Sequence, residues 1–298
     1  MPPDTIPSPP KDPPMRLLSG LSEVAADYDG FVLDLWGVVH DGRAPFPGTL
    51  PALTALKAAG KPVVFLTNAP RRARVIEAQL TGMGIPRDLY AAIVSSGEVT
   101  RSLLAERSHP FFAPLAPCAW HIGPERDLNV LEDLPDELVE HPADAAYVLN
   151  TGPEPRLGQT DLSGYLPLLR AAHDAGLPMV CVNPDRHVVV AGETIIAAGT
   201  LADAYLDLGG RVFEVGKPDP MVYGPAVAAL GLSPGARVLA LGDGPRTDLP
   251  GAANAGLDCV WVLEGLAAAH ARNRDAAAMR ADIKVSDVWV PFSVTVPA

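Results

Sequence analysis

The chain has 298 residues, 48% of them hydrophobic and 19% charged, with a net charge of -12 at pH 7. That length and apolar content are enough for two packed domains and exclude a disordered or fibrous chain. The acidic balance, without any Lys/Arg-rich stretch, gives no footprint for nucleic acid, and no run of 18 or so apolar residues offers a membrane span. Cys118, Cys181 and Cys259 lie too far apart for a disulfide framework or a C-x-x-C metal site, so reduced thiols and a cytoplasmic location are expected.

Residues 1–15 are rich in proline and lack an apolar h-region, which predicts a flexible tail rather than a signal peptide. Residues 30–40, GFVLDLWGVVH, form a short apolar run broken by one acid and closed by Asp41-Gly42, the pattern of a buried parallel strand ending at Asp34. TLPALTALKAAG follows, with Leu50, Leu53 and Leu56 on one helical face and Gly60 as a stop. The strand KPVVFLTN, a helix over 71–84, the strand AAIVSS and a helix in GEVTRSLLAER continue a β-α-β-α rhythm, which predicts a parallel sheet covered by helices. From residue 108 the texture becomes irregular and Pro-rich, with a strand AYVLN, a helix over 161–175 and a strand PMVCVN. RVFEVG, a helix in PMVYGPAVAALG, the strand RVLALGD, a helix over 249–255 and the strand CVWVL then restore the first rhythm. The expected architecture is α/β: one core from residues 16–107 and 212–298, with residues 108–211 inserted as a second α/β unit.

Ligands of open α/β sheets bind beyond the C-terminal ends of the strands, so the polar residues that end apolar runs are the candidates. They are Asp34, then Thr67 and Asn68, then Asp243, and Lys217 in VGKPDP and Asp248 in GDGPRTD join them. Carboxylates of this kind hold Mg²⁺, the lysine and Thr/Asn donors suit phosphoryl oxygens, and a carboxylate can attack phosphorus to form an aspartyl-phosphate.

In this order DLWGV, FLTN, GKP and GDGPRTD resemble the four motifs of the haloacid dehalogenase (HAD) superfamily. The resemblance implies a Rossmann-like HAD core, Asp34 as nucleophile and Lys217 as the residue that steadies it. It implies Thr67 and Asn68 on the phosphate, and Mg²⁺ held by Asp34, Asp243, Asp248 and the backbone carbonyl of Trp36. CVNPD and AAGTLADAYLD in the insertion resemble the class IIA (C2-type) cap of NagD-like and 4-nitrophenylphosphatase-like members. That likeness implies hydrolysis of small phosphorylated metabolites such as sugar phosphates, and a homodimer formed through the cap. Asn183 and Asp185 read either as substrate contacts or as an ordinary Asn-Pro-Asp turn.

One position departs from the pattern. HAD phosphatases usually carry a second aspartate two residues after the nucleophile, and here that residue is Trp36. The missing acid protonates the leaving group, a contribution typically worth ~10²- to 10⁴-fold in rate. His40 or Asp41 could substitute, although Asp41-Gly42 is also a strong turn pair. Two alternatives therefore stay open: a catalytically impaired protein that binds a phosphorylated ligand, and a dehalogenase-like or phosphonate-cleaving hydrolase. His121, His141, His173 and His187 have no metal-ligand spacing and read as surface or loop residues, and Arg71 and Arg72 as a solvated helix start.

Overall fold

The structure is a computed structural model that describes residues 16–190, 193–263 and 292–294; the expected tail at 1–15 lies outside them. Fourteen strands and seven α-helices are described, in the order β1 (Arg16–Leu18), β2 (Gly30–Leu33), α1 (Thr49–Ala58), β3 (Val63–Thr67), α2 (Ala73–Gly82), β4 (Ala92–Ser95) and α3 (Ser96–Glu106). Then come β5 (Cys118–Ile122), β6 (Glu137–Leu138), β7 (Tyr147–Asn150), α4 (Leu166–Asp174), β8 (Pro178–Cys181), β9 (His187–Val190), β10 (Glu193–Ile196) and α5 (Ala198–Asp207). The chain continues through β11 (Arg211–Glu214), α6 (Pro220–Ala229), β12 (Val238–Gly242), α7 (Asp248–Asn254), β13 (Asp258–Val262) and β14 (Phe292–Val294).

Seven strands form a parallel sheet in the order β1-β14-β13-β12-β2-β3-β4. Its central strands are apolar throughout because both faces are covered. Alternate residues divide between the faces: Phe31, Leu33, Val63 and Phe65 pack against Leu53 and Leu56 of α1 and Ile76 and Leu80 of α2. Val32, Val64 and Leu66 pack on the other side against Val222 and Ala226 of α6 and Leu249 and Ala252 of α7. Leu33 is in register with Leu241 and with Phe65, so β2, β3 and β12 end together at one edge of the sheet.

A second parallel sheet, β11-β8-β7-β5-β6, is built from the insertion, with the antiparallel hairpin β9-β10 beside it. Trp120, Val148 and Met179 face Leu169 of α4 and Leu201 and Tyr205 of α5. The opposite face, with Tyr147, Leu149 and Val180, packs on Phe112, Leu115 and Leu104. RVFEVG was expected to reopen the core, but β11 pairs with β8 and so completes the second sheet. Local sequence could not distinguish the two, since a short apolar run fits the edge of either sheet. The helix expected over 161–175 begins only at Leu166, because Asp161 accepts the Ser163 N–H at 2.7 Å in a local turn. Among the described residues no helix is long and apolar enough to cross a membrane, and the three cysteines carry free thiols.

Candidate active site

Four of the expected residues meet where β2, β3 and β12 end. Asp34 directly follows the buried run of β2, and its N–H donates to Leu241 O at 2.8 Å, which ties it to the end of β12. Asp243 follows β12, its carbonyl accepting the Trp261 indole N–H at 3.1 Å. Asp248 opens α7 and folds back so that its Oδ2 accepts the Gly244 N–H at 3.0 Å. One carboxylate oxygen from each of Asp34, Asp243 and Asp248 lies within 4.8 Å of the others, and all three residues are buried.

Lys217 is the cation of this centre. Its Nζ is 2.7 Å from Asp34 Oδ1 and 2.7 Å from Asp248 Oδ1, and only 3% of the side chain is exposed. Asn68 holds the Lys217 backbone from both sides: its Oδ1 accepts the Lys217 N–H at 2.8 Å, and its Nδ2 donates to Lys217 O at 3.3 Å. The same amide donates to Asp185 Oδ1 at 2.9 Å. Asn68 therefore organises the lysine and the cap loop, a role its place in FLTN alone did not reveal. Gly216 makes this approach feasible. Its φ is +146°, and a Cβ there would lie 2.6 Å from Asn68 Oδ1 and 2.6 Å from Pro184 Cδ.

Lys217 is shared between two buried carboxylates, Asp34 and Asp248, with the Asp243 carboxylate close beside them. Burial pushes the Asp34 carboxyl upward against the opposing pull of Lys217. Burial likewise pushes Asp248 up to about 6, again opposed by Lys217. Burial disfavours the charged lysine, but Asp248 and Asp34 more than offset it and hold the ammonium well above its ordinary range. A cluster of three carboxylate oxygens within 4.8 Å of one another fits a hard divalent cation such as Mg²⁺, which takes carboxylate and water ligands.

A cleft of about 190 Å³ opens beside this centre between the two sheets' domains, and Thr67, Trp36, His40, Asn183 and Asp185 all line it. Thr67 Oγ1 accepts the Ala69 N–H at 3.2 Å, shaping the turn after β3. Asn183 does form the local turn, its Oδ1 accepting the Asp185 N–H at 2.9 Å, while still lining the cleft. Trp36 packs edge-on against His40, with ring centroids 5.5 Å apart. Gly42, at φ +91°, lies against the same indole so closely that a Cβ would overlap it. His40 is buried, and its Nδ1 accepts the Gly42 N–H at 3.0 Å; burial lowers its pKa, so the ring is neutral with its proton on Nε2. Asp41 is exposed and accepts the Arg43 and Ala44 N–H groups at 2.8 and 2.9 Å, as the turn reading expects.

Arg71 is not a solvated helix start. It reaches across to the insertion, where its Nε donates to the buried Asp127 Oδ1 at 2.7 Å, and both residues line the cleft. Arg72 pairs with Glu98 at 2.9 Å. His121 is a half-buried strand residue rather than a loop residue: on β5, it shares a 2.8 Å hydrogen bond with Thr151 Oγ1, and burial lowers its pKa to about 4. His141, His173 and His187 are exposed.

A parallel α/β core with a strand-end aspartate, a buried lysine and two further carboxylates, beneath an inserted α/β cap, defines the HAD class of hydrolase fold. Comparisons with known proteins agree. The family model for haloacid dehalogenase-like hydrolases matches residues 31–134, and a HAD-hydrolase-like model matches residues 214–289. A solved haloacid dehalogenase-like hydrolase from Brucella suis 1330 is 35% identical, with a TM-score of 0.79, over 93% of this chain and 98% of that one. The chain belongs to the haloacid dehalogenase-like hydrolases, and its fold is also that of a NagD-type structure and of the 4-nitrophenylphosphatase of Thermotoga maritima, which are 24% and 23% identical with TM-scores of 0.63 and 0.66. The sugar-phosphatase AraL of Bacillus subtilis is 26% identical over 80% of this chain and 84% of its own length. A glycerol phosphate phosphatase from Mycobacterium tuberculosis, solved in complex with magnesium, is 26% identical with a TM-score of 0.62, over 82% of this chain and 70% of that one.

Proposed function

We propose that this protein is a Mg²⁺-dependent phosphatase of small phosphomonoesters, working through an aspartyl-phosphate on Asp34. The observation that carries the reading is the Asp34 carboxylate, held 2.7 Å from Lys217 inside a cluster of three buried carboxylates at the end of the central strand. Two relatives named as phosphatases of a sugar phosphate and of glycerol phosphate support the substrate class, and the magnesium complex of the latter supports the metal. The proposal includes a cytoplasmic location.

In this reading Asp34 contributes its outer carboxylate oxygen to phosphorus, while Lys217 fixes the other oxygen and screens the charge on the transferring group. The Thr67 hydroxyl, at the same strand edge, donates to a phosphoryl oxygen. Asp34, Asp243, Asp248 and the Trp36 carbonyl would hold Mg²⁺, which when bound neutralises phosphoryl charge. The Trp36 indole and the polar groups of Arg71, Gln79, Thr151 and Gln159 line the cleft that takes the leaving group. The Arg71–Asp127 pair links core and cap across that cleft, which favours a closed, water-poor site.

Phosphate release from a panel of sugar, glycerol and aryl phosphates, measured with and without Mg²⁺ on the wild type and Asp34→Asn, tests the reading. Metal-dependent turnover that Asp34→Asn abolishes is expected. Phosphate binding without turnover above the Asp34→Asn background would establish the impaired, ligand-binding alternative instead. Chloride release from 2-haloacids in the absence of metal would establish the dehalogenase one.

A further inference from the structure

The loss of the second motif aspartate leaves the leaving group without its usual proton donor, and the two nearby substitutes on the same loop do not fill the role. His40 is held neutral, with its Nδ1 already accepting the Gly42 N–H, so it carries no acidic imidazolium proton at neutral pH. Asp41 is exposed, its carboxylate committed to the Arg43 and Ala44 N–H groups. Two further carboxyls line the cleft, both from the cap: Asp127, which is taken up by its ion pair with Arg71, and Asp185.

We propose that Asp185 gives the proton to the leaving oxygen and then takes one from the attacking water, replacing the acid that Trp36 displaced. The proposal rests on the phosphatase reading above. Asp185 lines the cleft together with Trp36, Thr67 and His40, and its Oδ1 is anchored at 2.9 Å by the amide of Asn68, the residue after Thr67. It is not a member of the three-carboxylate cluster and so is not committed to the metal. The loop that carries it is rigidly supported. The Asp185 N–H is capped by Asn183 Oδ1 at 2.9 Å, and its carbonyl accepts the Gly199 N–H at 3.0 Å at the start of α5. Next to it, Arg186 pairs with Asp203 at 2.6 Å and Glu214 at 2.9 Å. Such support keeps a catalytic group within the small tolerance that proton transfer demands.

The charged groups acting on Asp185 are Lys217, Asp248 and Arg186, and Asp185 in turn acts on Asp34. Burial is the largest influence and holds its carboxyl above the ordinary range, which favours the protonated form an acid needs. In the first step Asp34 attacks phosphorus, and the P–O bond to the leaving group breaks. Its electron pair goes to the leaving oxygen, which takes the Asp185 proton and departs as the alcohol. In the second step the Asp185 carboxylate takes a proton from water, whose oxygen attacks phosphorus. The P–O bond to Asp34 breaks, its electron pair returns to the Asp34 carboxylate, and Asp185 is again protonated.

The test is the rate of leaving-group release in the first turnover, for full-length wild type, Asp185→Asn and Asp185→Glu with Mg²⁺. The substrates run from p-nitrophenyl phosphate, whose leaving oxygen needs no proton, to alkyl phosphates, whose leaving oxygen does. Rates are taken per active site counted from the burst, so misfolded protein does not enter. The Asp185→Asn penalty should grow along the series and reach about 10²-fold or more with alkyl esters. Asp185→Glu should flatten the dependence back toward that of the wild type. A penalty equal for all leaving groups, with Asp34-dependent turnover intact, overturns the role of Asp185 alone. Absence of turnover above the Asp34→Asn background removes the phosphatase reading and this proposal with it.

Discussion

Replacing Lys217 with methionine tests the electrostatics of the centre most directly. The substitution keeps the length of the side chain and removes the ammonium that lies 2.7 Å from both Asp34 and Asp248. All three side chains are at least nine-tenths buried, so water cannot replace the lost partner. Breaking a buried ion pair in this way costs about 3–5 kcal/mol. The cost depends on pH in a definite direction. Asp248 in the native protein titrates near 6, above its unfolded value of 3.8. A carboxyl raised on folding contributes stability that is fully present below about pH 4 and lost as pH rises through its folded pKa. Without Lys217 the carboxyls of Asp34 and Asp248 rise further. The gap between wild type and variant should therefore be small near pH 5 and reach its full size near pH 8. Urea unfolding of both proteins at these two pH values, in metal-free buffer, measures it. Added Mg²⁺ should narrow the gap at pH 8, because a divalent cation supplies the charge that methionine lacks. A gap that is the same at both pH values, or below about 1 kcal/mol at pH 8, would refute the account of Lys217 as the counter-charge of this cluster.

Two further outcomes follow from the loops around the cleft. Gly42→Ala places a Cβ at φ +91° on the face of the Trp36 indole, and should cost about 1–3 kcal/mol in chemical denaturation; unchanged stability would show that the 35–45 loop does not pack as described. His121 is held neutral, with its pKa lowered to about 4 from 6.5, so the stability it contributes is present above about pH 6.5 and lost as pH falls toward 4. His121→Gln should remove that loss and flatten the stability profile between those pH values by up to about 3 kcal/mol; a profile parallel to the wild type would show that another group titrates there.

Much of this protein was legible in its sequence. A run such as FVLDL or VVFLTN can only be satisfied with both faces covered, and that requirement dictates a parallel sheet flanked by helices. The same requirement places the first polar residue of each run at the edge of the sheet, which is why the sequence alone groups Asp34, Thr67 and Asp243. Motif order then added Lys217 and Asp248, which the structure joins into one ion-paired centre. The tertiary structure alone decided matters that depend on partners distant along the chain. RVFEVG fits the edge of either sheet, and only its pairing with β8 assigns it. Asn68 reads as a turn or phosphate residue until Lys217, 149 positions away, is seen held by its amide. Arg71 reads as a solvated helix start until Asp127 meets it from the cap. Asp185 reads as part of an Asn-Pro-Asp turn until the cap brings it to Asn68 beside the nucleophile. Hydrophobic periodicity records which residues leave water, so it determines the sheets and the ends of their strands. It carries no record of which polar groups will then face one another across a cleft, because that is set by how two separately packed units close.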